Sequence, residues 1–242
     1  MDRLLHYIRR LEALHPLSEA ERANLTQLSA PPQHHPAGMD LSTEGDAPPI
    51  PRIILSGWAC RQRGLADGRR QILAFLLPGD AVGIPPQNIG GVFCSTTAIT
   101  AVTSISGAAV REAALRLTAH PSGVAIACVR ACAMEEARLF DHVVRLGRQS
   151  ALERVAHLLL ELHERLAVVG LAFENRFPMP LTQEVLADAL GLSIVHVNRT
   201  LQQLRRSGLI DTRAGWVTLR DHVQMTELAS FRPATQRLAM VP

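Results

Sequence analysis

The sequence predicts an α+β chain with a β-rich N-terminal domain, a long helix, and a C-terminal helix-turn-helix followed by a wing. Three observations carry this. From about residue 33 to 108, short apolar runs alternate with Gly, Pro, Asp and Ser clusters. Turn signals at roughly 8–12 residue spacing suggest a sandwich or barrel. Residues 124 to 146 then hold no Gly or Pro, as a long helix requires. Thr182 to Ile210 finally pairs two capped, leucine-patterned segments around a glycine.

The composition narrows the class. The chain has 242 residues, enough for one large domain or two small ones. With 47% hydrophobic and 19% charged residues it is not a disordered chain. All 25 basic residues are arginine, and the net charge of +3 permits an anionic partner without demanding one. The cysteines are Cys60, Cys94, Cys128 and Cys132. They form no C-x-x-C pair, which excludes zinc-knuckle and thioredoxin readings. No metal site or cofactor is called for. The N-terminus has charges but no apolar segment behind them, so no signal peptide is expected. Gln71 to Val110 holds one charge, Asp80, but Pro85-Pro86 and Gly90-Gly91 break it short of a membrane span. A soluble, cytoplasmic protein is expected.

In chain order, Leu4, Leu5, Ile8, Leu11 and Leu14 recur at helical spacing. Ser18 to Glu21 fits a capping box, opening a second helix toward Leu28 that Pro31-Pro32 ends. Strand signals follow at Ile53-Ile54-Leu55, at Gln71 to Leu77 and at Thr96 to Ile105, with Asp67-Gly68 as a hairpin turn. The long helix is expected from near Pro121 to Leu146. It is longer than one small barrel can cover, so part of it should pair with another helix, for which a second subunit is one source. Its Cys128 and Cys132 lie one turn apart. They are read first as small buried hydrophobes and second as redox thiols facing across a two-fold axis. Gly147 marks a break, and Ser150 to Glu153 is a second capping box. The hinge between domains is therefore set at Gly147 to Ser150. Residues 170 to 180 read as loop.

Within the C-terminal motif, Thr182 caps a helix to Leu190, Gly191 permits the turn, and Ser193 caps a second helix from Ile194 to about Arg206. Ala187, Gly191 and Val197 let the two helices cross closely, which is helix-turn-helix spacing. On the second helix, Ile194, Val195, His196, Asn198, Arg199, Gln202 and Arg205 are candidate DNA contacts. Arg199 can fork onto a guanine, and an apolar Val195 can touch a thymine methyl. Thr182 and Ser193 can serve phosphates at helix N-termini. Two short strands around Arg213-Ala214-Gly215 make the wing. From Ser193 to Arg220 there are five Arg and one acid, a local net charge of +4. Residues 151 to 242 as a whole carry only +1, so the charge is concentrated at this surface.

The chain resembles the Crp/Fnr family of bacterial transcription regulators from about Leu4 to Leu219. The specific parts are Ser56-Gly57-Trp58, Asp67 to Leu73, Pro78-Gly79-Asp80, Leu146 to Ser150 with Glu153-Arg154, and the winged helix-turn-helix. The resemblance implies a cyclic-nucleotide-binding-like sensor domain, a double-stranded β-helix or jelly roll, over residues 1–120. It implies a dimerisation helix and hinge over 121–148, a winged helix-turn-helix over 149–232, and a tail over 233–242. It also implies a homodimer on a near-palindromic operator of double-stranded DNA, with RNA polymerase as a further partner.

Three departures qualify it. Gln71 to Val110 holds no Arg, Lys, His or Glu, which argues against cyclic AMP binding, since a buried phosphate needs a cation or clustered amides. Iron–sulfur members carry several cysteines near the N-terminus, whereas the first here is Cys60. Val195 stands where family members often carry a glutamate, so a standard half-site is not expected. No nucleophile elbow, P-loop, metal pair or dinucleotide fingerprint is present, so the chain does not read as an enzyme. The alternative to a DNA-binding regulator is a ligand- or redox-sensing module whose helix-turn-helix mediates protein contacts.

Overall fold

The computed structural model describes residues 4–27, 30–46, 50–83, 92–115 and 121–233. The chain divides into two compact units, Met1–Ala137 and Arg138–Pro242.

The first unit opens with α1 (Leu5–Leu14) and α2 (Glu19–Thr26). Ser18 and Glu21 form the expected capping box at the start of α2. Eight strands follow among the described residues: β1 (Gln33–His35), β2 (Asp40–Ser42), β3 (Arg52–Ser56), β4 (Ala59–Gly64), β5 (Arg70–Leu76), β6 (Ala81–Val82), β7 (Ser95–Ala98) and β8 (Val102–Ser106). They form two antiparallel sheets, ordered β1-β8-β3-β6 and β2-β7-β4-β5. The pairs β4 with β5, β3 with β6, β2 with β7 and β1 with β8 nest inside one another. A long hairpin rolled up on itself gives this order, which is the expected jelly roll.

Strand alternation sorts the apolar residues into two cores. On β3, Ile54 packs with Ala59, Leu76, Val82, Ala98 and Val102. Its neighbour Ile53 packs with Tyr7, Ile8 and Leu11 of α1 and with Val124, Ala127 and Cys128. The last three lie on α4 (Gly123–Arg148), which follows α3 (Ala108–Leu115). Helix α4 starts beyond Pro121, and Ser122 supplies the cap: its Oγ accepts from the Ala125 amide at 3.1 Å.

Local backbone geometry explains the N-terminal motifs. Gly57 has φ +83°, and a Cβ there would lie 2.1 Å from the Ala101 carbonyl oxygen, so two strand ends approach too closely for a side chain. Trp58 donates its amide to Thr100 Oγ1 at 2.9 Å and packs edge-on against Phe75. Asp80 is 1% exposed; it accepts from the Leu77 amide at 2.7 Å and pairs with Arg10 of α1. Arg61 of β4 pairs with Glu135 of α4 at 2.9 Å, and Arg10 lies 3.6 Å from Glu135. These four charges tie α1, the jelly roll and the first part of α4 together.

The second unit holds the end of α4, then α5 (Ala151–Val168), α6 (Gln183–Leu190), α7 (Ile194–Arg206) and α8 (His222–Ala229). A three-stranded sheet, ordered β10-β11-β9, is built from β9 (Arg176–Pro178), β10 (Ile210–Arg213) and β11 (Trp216–Leu219). Three features differ from the sequence reading. The helix runs through Gly147 to Arg148 before Ser150 caps α5 with Glu153. The expected loop at 170–180 contains β9, a third strand of the wing sheet. Helices α3 and α8 are additional elements. Among the described residues, no helix is long and apolar enough to cross a membrane.

Candidate nucleic-acid interface

Two helices and a wing build the site within the second unit. Thr182 Oγ1 accepts from the Val185 amide at 3.2 Å and caps α6. Gly191 ends that helix in the left-handed region, with φ +62°. Ser193 Oγ accepts from the His196 amide at 3.2 Å and caps α7. Both hydroxyls use their oxygen for the cap and keep an O–H to donate. Leu186, Ala187 and Leu190 of α6 are buried, as are Val197, Thr200, Leu201 and Leu204 of α7. The last four recur at helical spacing and form the inward stripe of α7.

The opposite stripe is therefore Val195, Arg199, Gln202 and Arg206, all exposed. His196 is also exposed, and Ile194 is 48% exposed beside Val195. Arg199, Arg206 and the wing-tip Arg213 are exposed and make no hydrogen bond or ion pair among the described residues. Their guanidinium groups are available for an anion.

The remaining two candidates are engaged within the protein. Asn198 is half-buried, and its Oδ1 accepts from Gln202 Nε2 at 3.2 Å. Arg205 donates to Thr212 Oγ1 of β10 at 2.7 Å. Arg220 pairs with Asp211 at 3.2 Å, which reduces the free charge of the wing. Arg206, which is not among the candidate contacts read from the sequence, sits within the outward stripe.

Supporting contacts explain the linker motif. Arg154 donates from Nε to the Gln149 carbonyl at 2.8 Å and from Nη1 to the Leu190 carbonyl at 3.0 Å. It thereby satisfies an end carbonyl of α6 that the helix leaves unpaired. Gln149 Nε2 donates to the Ala229 carbonyl at 3.0 Å, holding α8. On the wing sheet, the Arg176 guanidinium lies 4.5 Å from the centre of the Trp216 ring.

Residues 153–228 match the family model of the Crp-like helix-turn-helix domain. The nitrogen fixation regulation protein FixK of Bradyrhizobium diazoefficiens is 35% identical over 203 residues, 81% of each chain. The transcriptional activator protein FnrL of Cereibacter sphaeroides is 31% identical, over 80% of this chain and 75% of its own. The structure of FixK2 from Bradyrhizobium japonicum superposes with a TM-score of 0.70 at 28% identity, covering 85% of this chain and all of that one. The chain belongs to the Crp/Fnr family. It is a DNA-binding transcription regulator of the Crp/Fnr type. Regulators of this family bind DNA and act as dimers. The relatives named are transcription regulators, not enzymes.

Two cysteines of this Crp/Fnr regulator, Cys128 and Cys132, lie on α4. Cys128 is buried on the α4 stripe that packs against α1, with its Sγ 4.0 Å from the Tyr7 hydroxyl. It faces the core of the first unit, among Tyr7, Ile8 and Leu11. Burial pushes its thiol pKa up. Cys132 donates its thiol to the Cys128 carbonyl at 3.0 Å, and burial, then Glu135, raise its pKa to about 11. Among the described residues, no three His, Cys, Asp or Glu side chains gather as a metal site needs.

Proposed function

We propose that this regulator binds a near-palindromic operator as a homodimer, with α7 in the major groove and Arg213 of the wing on the backbone. The observation that carries this is the exposed stripe Val195, Arg199, Gln202 and Arg206, flanked by a wing-tip arginine. A stripe of this width fits the groove, which admits one helix. Residues near the start of α7 (Ile194, Val195, His196, Arg199) read bases. Arg206 meets phosphate near its end. Thr182 and Ser193 donate to phosphates from their helix starts. Asn198 acts by orienting Gln202, and Arg205 by holding the wing.

Helix α4 is the dimer seam. It exposes Val129, Leu139, Phe140, Val143 and Val144, large apolar side chains that a single copy leaves uncovered. Spacings of three and four along one helix suit a helix–helix interface. The sensor domain does not take cyclic AMP: the only charge from Gln71 to Val110, Asp80, is already paired with Arg10. The chain works in the cytoplasm, performs no catalysis and contacts RNA polymerase once on its operator. Functionally, residues 1–120 sense, 121–148 dimerise and hinge, and 149–232 bind DNA.

Selection of bound duplexes from a random pool by the purified chain tests this, with Arg199→Ala alongside. An enriched palindrome that the variant loses supports the reading. No enrichment at low salt, with or without cyclic AMP and under oxidising and reducing conditions, overturns it. Phe140→Glu should yield monomers by light scattering if α4 is the seam.

A further inference from the structure

We infer that Val195 reads a thymine through its 5-methyl group, so that each half-site carries a required T·A pair next to the base read by Arg199. The inference deepens the operator reading above and rests on it.

The argument begins with an anomaly of the α7 surface. Its other outward side chains beyond the first turn are polar or charged, yet Val195 is 67% exposed and adjoins the half-exposed Ile194. The inward stripe is complete without it: Val197, Thr200, Leu201 and Leu204 fill the seam against α6. Valine also loses side-chain freedom in a helix and gains nothing there from packing. Val195 therefore serves neither the core nor the helix. It lies four residues before Arg199, on the same face, and near the helix start, where base edges are reached.

The groove offers few partners for such a group. Guanine, adenine and cytosine present donors and acceptors there, and thymine alone adds a methyl. A carboxylate at this position would accept from the cytosine amino group; valine can do neither that nor donate. An isopropyl group set over a polar base edge would desolvate it without replacing its hydrogen bond. The chemistry that rewards Val195 is a methyl group. Arg199, one turn further on, has its fork free for the O6 and N7 of a guanine. The two together give a reader of neighbouring T and G positions.

The experiment uses the full chain and the selected duplex. Each thymine of a half-site is replaced in turn by deoxyuridine, which removes only the methyl. Affinity is measured by fluorescence anisotropy. One thymine in each half-site should lower affinity about fourfold when replaced, the value of one buried methyl group. In Val195→Ala, which favours helix and folds, the same replacement should cost nothing further. Val195→Glu should move the preference at that position from T to C in a repeated selection. Equal binding with uridine at every thymine overturns the inference. So does a penalty that persists in Val195→Ala. Absence of any selected duplex would appear before the uridine step and overturn the operator reading instead.

Discussion

Arg205 donates a hydrogen bond to Thr212 Oγ1 at 2.7 Å, joining the last turn of α7 to β10 of the wing. The neighbouring Arg206 is exposed and unpaired among the described residues. Two adjacent arginines thus differ in their surroundings, one held by the wing and one presented on the exposed face of α7. Thr212→Val keeps the shape and removes the acceptor. It should lower stability in urea by about 1 kcal/mol and leave the salt dependence of binding unchanged. Arg206→Ala should change stability by less than about 0.5 kcal/mol. It should reduce the slope of log affinity against log salt by about 0.9 for each arginine removed. Titrations at four salt concentrations separate the two. The assignment fails if both variants show the same slope.

Glu161 of α5 makes the stability of the second unit pH-dependent. It pairs with Arg145 and, at 3.3 Å, with Arg165. Burial alone would raise its pKa; Arg145 first and Arg165 next outweigh burial and hold it at about 2, below the ordinary 4.5. A lowered folded-state value stabilises the fold above the unfolded value, and the contribution is lost as pH falls toward the folded one. Stability should therefore decline from pH 4.5 toward pH 2, by at most about 3 kcal/mol from this group. In Glu161→Gln that part of the slope should vanish. The variant should also lose about 3 kcal/mol at pH 7, because the buried Arg145 and Arg165 lose the carboxylate they share. Chemical denaturation across that range reads both effects.

Two glycines in left-handed backbone should respond differently to the same substitution. At Gly57 the added carbon would meet the backbone oxygen of Ala101 at 2.1 Å. At Gly191 it would meet the Leu146 side chain, Cδ2, at 3.3 Å. A side chain can yield where a carbonyl held between strands cannot. Gly191→Ala should cost about 1–2 kcal/mol, the backbone penalty alone. Gly57→Ala should cost about 3 kcal/mol or more, because strain and displacement add. Thermal unfolding of the two variants compares them directly. Equal costs would mean that the β3–β4 corner relaxes more readily than its geometry indicates.

The features legible in the sequence are those set by neighbours in the chain. Ser18, Ser150, Thr182 and Ser193 all cap as read, because a cap needs only a hydroxyl and an amide three residues on. The outward face of α7 was legible from its leucine spacing. The missed features depend on distant partners. Strand β9 has three residues and exists because Phe177 pairs with Val217. Pro178 beside it argues against a strand from sequence alone. The engagement of Arg205 with Thr212 required the wing to be folded back onto α7. Gly147 signals a break in the sequence, yet helix geometry continues one residue past it, because one glycine costs a helix only about 1 kcal/mol. The nested strand pairs of the jelly roll came from the family resemblance, since local turn signals specify hairpins and not the order of strands across two sheets.

The thiols on α4 supply the last prediction. A redox switch requires thiolate, the form that attacks disulfides and reacts with peroxide. Cys132 has its pKa raised to about 11 by burial and by Glu135, and Cys128 is raised as well and enclosed beside Tyr7. At pH 8, Cys132, with its pKa at about 11, should be thiolate at roughly one part in a thousand, about a hundredfold less than a cysteine at the ordinary 9.0. Its alkylation by iodoacetamide, followed by mass spectrometry of the native chain, should be slower than that of a model thiol by about the same factor. Glu135→Gln removes the negative charge and should accelerate it, although that variant also unpairs Arg61. Unfolding in urea should bring both cysteines to the ordinary rate. Rapid native alkylation at Cys132 would show an accessible thiolate and return redox control to α4. Slow alkylation assigns both sulfurs to packing, one in the core against α1 and one on the carbonyl a turn before it.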